Sequence, residues 1–226
     1  MFEFSEIRPA ALIQGKASHG KSKSAYNSVF KRIFDVFFCL LIAPLVLPVV
    51  AVLAFIVRMD GGPAFFSHTR VGRDGRAFKC WKIRSMVVGA EEKLKAHLEN
   101  NPEAAAEWER DFKLTDDPRI TRLGDIMRRT SLDELPQFFN VFRGDMSVVG
   151  PRPITEIELM RYGTHQRAYL DARPGVTGVW QVSGRNDVSY ESRVEMDASY
   201  MEKMSLGLDI SIIFKTITHM LLRTGR

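Results

Sequence analysis

From Val36 to Val57 the chain reads VFFCLLIAPLVLPVVAVLAFIV, with no charged residue. At ~1.5 Å of rise per residue, a helix of that length crosses a hydrocarbon core of about 30 Å. A soluble core helix seldom stays apolar on every face in a chain of 226 residues, so the run predicts insertion into a membrane. Pro44 and Pro48 each remove a backbone donor near its middle, which predicts a kink. Beyond Gly61-Gly62-Pro63 the pattern changes. Ala64 to Val71 and Arg76 to Ile83 carry aromatic and β-branched residues around Gly72-Arg73-Asp74-Gly75, the signature of a β-hairpin. Residues 89–111 alternate charge in helical fashion and are interrupted at Asn100-Asn101-Pro102, so two short exposed helices are expected. Ile120 to Arg129 forms a further helix. Near the C-terminus, Ile210, Ile213, Phe214, Ile217, Met220 and Leu221 fall at helical spacing. Packing of that stripe into the core is favoured over its lying on a membrane surface.

Charge adds direction but not identity. Lys21, Lys23, Lys31 and Arg32 precede the apolar run, and Arg58, Arg70 and Arg73 follow it. A spanning helix usually shows asymmetry, so positive flanks fit both ends remaining on the cytoplasmic side. A bent helix dipping into one leaflet and a kinked single span both satisfy these facts. The net charge of +5 points to an anionic partner: nucleic acid, acidic lipid or a phosphorylated small molecule. Nucleic acid is set aside because the basic residues sit among Gly/Pro loops and not on an aromatic strand or recognition helix. A non-catalytic membrane adaptor with a basic face is the principal rival to an enzyme. Cys39 and Cys80 lie in dissimilar contexts, and no disulfide is expected. Residues 1–28 read as a flexible basic tail.

The segment Arg128-Arg129-Thr130-Ser131-Leu132-Asp133-Glu134-Leu135-Pro136-Gln137 holds the candidate chemistry. Proline is tolerated in the first turn of a helix, so Asp133 is expected at or near an N-cap, ionised, with a helix terminus able to attract phosphate. Asp is also a common structural cap. Against a purely structural role stand Glu134, Arg128 and three rigid loops that each present an arginine: Arg152, Arg173 and Arg185. Arginine donates two parallel hydrogen bonds to a phosphate. A carboxylate among such residues serves as an ion-pair strut, or as a nucleophile toward phosphorus with a neighbouring acid on Mg²⁺. Zinc spacing, a nucleotide-hydrolase phosphate loop and a Gly-x-Ser-x-Gly elbow are all missing from the sequence, and its five histidines are dispersed.

The order of motifs resembles the bacterial sugar transferase family, the monotopic phosphoglycosyl transferases. The matching blocks begin with Lys31-Arg32-Ile33-Phe34-Asp35, Arg70-Val71-Gly72, Lys82-Ile83-Arg84-Ser85-Met86 and Ser131-Leu132-Asp133-Glu134-Leu135-Pro136-Gln137. They continue with Asn140-Val141, Gly144-Asp145-Met146-Ser147, Gly150-Pro151-Arg152-Pro153, Pro174-Gly175-Val176-Thr177-Gly178 and Gly184-Arg185-Asn186. The resemblance implies an α+β fold: a small α/β catalytic domain with a β-hairpin and amphipathic helices, anchored by one re-entrant, proline-broken membrane helix. It implies a tail over 1–28, the membrane helix over 29–60 and a catalytic domain on the cytoplasmic face of the inner membrane over 61–226. The implied reaction moves a hexose 1-phosphate from a UDP-sugar to polyprenyl (undecaprenyl) phosphate, for exopolysaccharide assembly. Asp133 would be the nucleophile and Glu134 a Mg²⁺ ligand. Arg128, Arg152 and Arg185 would bind substrate, with Lys82 and Arg84 as further candidates. Membrane lipid and a second copy of the chain, as a homodimer, are the other expected partners.

Overall fold

The computed structural model describes residues 26–111, 114–183 and 188–221. After a π-helical turn, Tyr26–Phe30, the apolar run forms one helix, α1 (Lys31–Arg58), which contains both prolines. The hairpin follows as β1 (Phe65–Val71) and β2 (Ala77–Ile83), antiparallel with Phe65 opposite Ile83 and Val71 opposite Ala77. Its turn is the expected one. Asp74 takes a left-handed φ of 57° beside Gly75 at 76°.

The two charged helices are α2 (Ala90–Asn100) and α3 (Pro102–Asp111), divided where the sequence predicts. Then come α4 (Arg122–Thr130), α5 (Gln137–Arg143), β3 (Ser147–Val149), α6 (Glu156–Met160), α7 (Gln166–Leu170), β4 (Gly175–Thr177), α8 (Tyr190–Lys203) and α9 (Leu206–Leu221). β3 and β4 pair in parallel. A Cβ on Gly175 would meet the Gly150 nitrogen at 2.1 Å, so the two proline loops can approach only without side chains there. The architecture is α+β, as expected, with the main core between α1, β2, α5, β3, α8 and α9.

Two features of α1 tie one face of its first turns to the rest of the fold. Lys31, Asp35 and Cys39 form a buried stripe, while Phe37, Leu40, Leu41, Leu45 and Phe55 are exposed. Asp35 Oδ1 accepts hydrogen bonds from the Ser147 hydroxyl (2.9 Å) and the Val148 amide (3.0 Å). Lys31 Nζ reaches Asp209 Oδ2 at 2.6 Å, where Tyr26 also donates, while the Tyr200 hydroxyl donates to Oδ1. The Lys-Arg-x-x-Asp block is therefore an anchor that locks the helix base to β3 and α9. Each large apolar side chain left exposed beyond it forfeits about 1.5–3 kcal/mol in water, and by length and composition α1 can cross a membrane.

Three expectations need correction. Tyr26 lies inside the anchor, so the stretch assigned to the tail does not extend unchanged to residue 28; residues 1–25 lie outside the described residues. The C-terminal stripe does not pack inward as a unit. Asp209 and Ile212 face the core, whereas Ile210, Phe214 and Ile217 are exposed, because a buried ion pair and not the apolar stripe sets the helix rotation. Asp133 does not cap a helix.

Candidate active site

Asp133 and Glu134 sit in a single 3₁₀ turn, Leu132–Glu134, between α4 and α5. The N-cap of α5 is Pro136, with no side-chain cap, so the carboxylates precede the helix and leave its terminus untouched. The turn is forced by Ser131, a non-glycine residue at φ 57°, which ends α4 and reverses the chain. A serine held in the left-handed region costs free energy that surrounding contacts must offset, and such positions cluster at functional sites. Thr121 starts α4 by accepting the Gly124 amide. Gly124 is essential to the placement of that helix, because a Cβ there would lie 1.9 Å from the Ser85 carbonyl oxygen. That close approach lets Arg128 Nε donate to Ser85 Oγ at 2.9 Å.

Asn140 fixes the other side of the turn. It is buried in α5, its Oδ1 accepts the Trp81 amide (3.1 Å), and its Nδ2 donates to the Lys79 carbonyl (2.8 Å). The side chain thus occupies the edge of β2 as a third strand would. With α5 held there, Lys82 on the same strand reaches Glu134 Oε1 at 2.5 Å and lies 3.9 Å from Asp133 Oδ2. A cation shared between two adjacent carboxylates separates their titration. Burial pushes Asp133 up to about 6, opposed by Lys82 and Arg128 and assisted by the neighbouring Glu134 charge. Burial also raises Glu134, but Lys82, Arg152 and Arg70 more than offset it and hold Glu134 below the usual range. No helix terminus holds the charge of Asp133: burial raises its proton affinity, and nearby cations only partly compensate.

The other expected site residues divide. Lys82 and Arg128 are brought to the carboxylates. Arg152 lies over the buried Trp180 ring, 5.7 Å from its centroid, and close enough to act on Glu134. Arg84 goes elsewhere. Its donors reach the carbonyls of Pro63, Met86 and Val57 and the Asp60 carboxylate, all but Met86 at the end of α1 or just beyond it, so it is not brought to the carboxylate pair. Arg173 binds the Gly144 carbonyl, away from the turn. Arg185 lies outside the described residues. Sequence reasoning gave no role to Arg193, whose guanidinium also lies over the Trp180 ring, 4.7 Å from its centroid. A lone arginine in the first turn of a helix carries no signal. Asn140 did carry one: an uncharged polar residue inside the apolar face of a short helix.

Among the described residues no group of three or more His, Cys, Asp and Glu side chains gathers, so no closed metal cage is built. The carboxylate pair nevertheless fits a hard cation whose remaining ligands are phosphate oxygens and water. Lys82 already covers Glu134 Oε1, which leaves Oε2 for such an ion. Next in the chain, Leu135 and Pro136 begin an apolar cavity of about 460 Å³, walled by α1 through Cys39, Ala43 and Leu47, and by Trp81 and Phe139. Cys39 and Cys80 are buried, free thiols.

Comparison with known proteins bears on this arrangement. Residues 26–223 match the family described as Bacterial sugar transferase. A UDP-galactose-lipid carrier transferase of Erwinia amylovora is 56% identical over 195 residues, covering 86% of this chain and 41% of the relative. The exopolysaccharide production protein ExoY of Sinorhizobium fredii is 46% identical over 203 residues, covering 88% of each. A UDP-glucose:undecaprenyl-phosphate glucose-1-phosphate transferase of Escherichia coli is 37% identical, with 86% of this chain and 40% of the relative covered. The chain thus spans about two fifths of the length of some relatives and nearly all of ExoY.

Proposed function

The chain belongs to the bacterial sugar transferase family, and on that footing we propose that it transfers a sugar 1-phosphate from a UDP-sugar to undecaprenyl phosphate. The relatives' names supply both substrate classes: UDP-glucose with undecaprenyl phosphate in one, a lipid carrier in another. The observation that carries the reading is the pairing of a buried carboxylate, Asp133, with adjacent cations, two residues before Leu135 and Pro136 in the wall of an apolar cavity shared with α1. A water-soluble diphosphate and an apolar polyprenyl tail need such a junction.

In the proposed mechanism, an Asp133 oxygen attacks the sugar-bearing phosphorus of the UDP-sugar. The bond from that phosphorus to the bridging oxygen breaks, and UMP leaves. The phosphosugar remains on Asp133 as an acyl phosphate. A phosphate oxygen of undecaprenyl phosphate then attacks the same phosphorus and restores the carboxylate. Glu134 is the residue that would hold Mg²⁺, which supplies neutralisation of the diphosphate charge. Lys82, Arg128 and Arg152 place donors and positive charge where negative charge accumulates. The Leu135–Pro136 cavity receives the first isoprene units. With purified protein and Mg²⁺, a panel of UDP-sugars should yield stoichiometric UMP from at least one member before any acceptor is added. UMP that appears only when acceptor is present would replace the covalent route with direct transfer.

We further propose that α1 is re-entrant. Arg32 donates to the carbonyls of Val141 and Phe142 (2.5 and 2.6 Å), while Arg84 donates to Val57 (3.0 Å) and Asp60. One polar domain thereby grips both ends, and a spanning helix would place those ends on opposite sides of a core about 30 Å thick. Cysteines introduced at Ser22 and Lys95 should both resist a thiol reagent confined to the periplasm of intact cells. Labelling at Ser22 but not Lys95 would make α1 a span.

A further inference from the structure

We propose that a second cleft, at the tip of the β1–β2 hairpin, binds a phosphate-bearing anion, namely the headgroup of an acidic phospholipid. The cleft has a volume of about 300 Å³ and is lined by the hairpin turn, the residue pair Gly144-Asp145 and Arg173. It lies at the opposite end of β2 from the catalytic pair. Ala77 and Lys82 are five residues apart along the strand, about 17 Å, so this is a separate site.

Its walls are cationic beyond what protein partners satisfy. Arg73, Arg76 and Arg173 line it, against the carboxylates Asp74 and Asp145. Asp145 is already engaged, accepting from Asn140 and lying 3.5 Å from Arg143. Asp74 approaches Arg73 only at 3.8 Å, too far for a hydrogen bond. Arg73 Nε is buried without an acceptor, a costly condition that an incoming oxygen would relieve. Arg32 adds a fourth guanidinium, with a nitrogen 3.5 Å from where a Cβ on Gly144 would sit. Gly144, at φ 96°, keeps that space open. Arg173 is half-buried; burial, then the charges of Arg73 and Arg32, lower its proton affinity, the response of a cation crowded by like charge. Some of this charge faces the carbonyls at the end of α5, which Arg32 and Arg173 cap. Among the described residues Arg73 Nε has no acceptor, and Arg76 lines the same cleft, which leaves it open to an external anion.

Location selects the source of the phosphate. Arg32 is followed on α1 by the exposed Ile33 and, five residues on, by the exposed Phe37, and Gly144 follows the exposed Phe139 and Phe142 on α5. The cleft therefore borders the apolar belt that α1 and α5 share, at the depth of lipid headgroups, where guanidinium is well suited to phosphate.

The test uses the full chain in neutral detergent, with the apparent melting temperature followed as short-chain lipid is added. Dihexanoyl phosphatidylglycerol should raise it, and dihexanoyl phosphatidylcholine should not. The double variant Arg73→Gln/Arg76→Gln should need at least tenfold more phosphatidylglycerol for the half-maximal shift. Lys93→Gln/Lys95→Gln on α2, which removes the same charge at a distance, should behave as the parent. Equal loss in both variants would reduce the effect to net charge and overturn the site, as would an unchanged response in the arginine variant. Inorganic phosphate that is effective at lower concentration than the lipid would overturn the headgroup assignment. The arginine variant should release UMP at the parent rate, so failure here and failure of the transferase reading register in different assays.

Discussion

Asp133→Asn should abolish UMP release from the sugar nucleotide, by at least ~10³-fold, while leaving the fold intact. Asparagine keeps the shape of the turn at Leu132–Glu134 and removes the carboxylate assigned to the attack, while Glu134 stays paired with Lys82. Two further signatures separate this outcome from simple damage. The first is the acid limb of the parent's activity. Attack requires the ionised carboxylate, and burial raises Asp133 to about 6, so single-turnover UMP release should fall below about pH 6 and not near 4. The second is stability. A carboxyl group whose proton affinity is raised by folding holds its proton while the unfolded chain loses it. Stability from this group therefore falls as pH rises from about 4 to 6, and the loss is complete above that window. Asparagine removes the penalty, so at pH 7 the variant should melt higher than the parent, by an amount on the order of 1–3 kcal/mol. Persistent UMP release in the variant would exclude Asp133 as nucleophile, and a lower melting temperature would mark it as a structural strut.

Asp209→Ala should have the largest effect on stability. Asp209 is fully buried and accepts from Lys31 (2.6 Å), Tyr26 (2.7 Å) and Tyr200 (2.7 Å). Removing it leaves the Lys31 ammonium buried without its counter-charge, at a cost of about 3–5 kcal/mol. For a chain of this size that is a drop of roughly 6–20 °C in apparent melting temperature. Replacing both partners, Lys31→Met with Asp209→Leu, should recover much of the loss, because an apolar pair carries no desolvation penalty. The recovery matters for the fold: this ion pair is where α1 is joined to α9. A single variant within about 1 kcal/mol of the parent would show that the Asp35 contacts with Ser147 and Val148 anchor the helix without it.

Periodicity and local turn chemistry were enough for much of the architecture. The hairpin and its turn, the break between α2 and α3, the helix ending near Thr130 and the apolar helix all follow from spacing of two, of 3.6, or from Gly and Pro. The motif blocks also placed Asp133, Glu134, Lys82, Arg128 and Arg152 together in advance. Each of those signals is local, or is carried by residue types that the chemistry demands.

What only the tertiary structure decided depends on contacts between segments distant in sequence. Lys82 near the end of β2 and Arg84 just beyond it lie two residues apart, yet Arg84 grips the end of α1 and Lys82 the Asp133–Glu134 pair. The rotation of α9 was misjudged because a single buried ion pair to Lys31 outweighs an apolar stripe. The surroundings of Asp133 were misjudged for the same reason, since burial and not a helix terminus acts on its carboxyl. Sequence shows which charges are near in the chain, but desolvation depends on what folds over them, and Asp133 retains only 7% of its exposure. The sequence by itself determined which groups are available and where the chain turns. The fold determined which of those groups lose water and which charges meet, and that is what separates the buried Asp133 carboxylate from a helix cap.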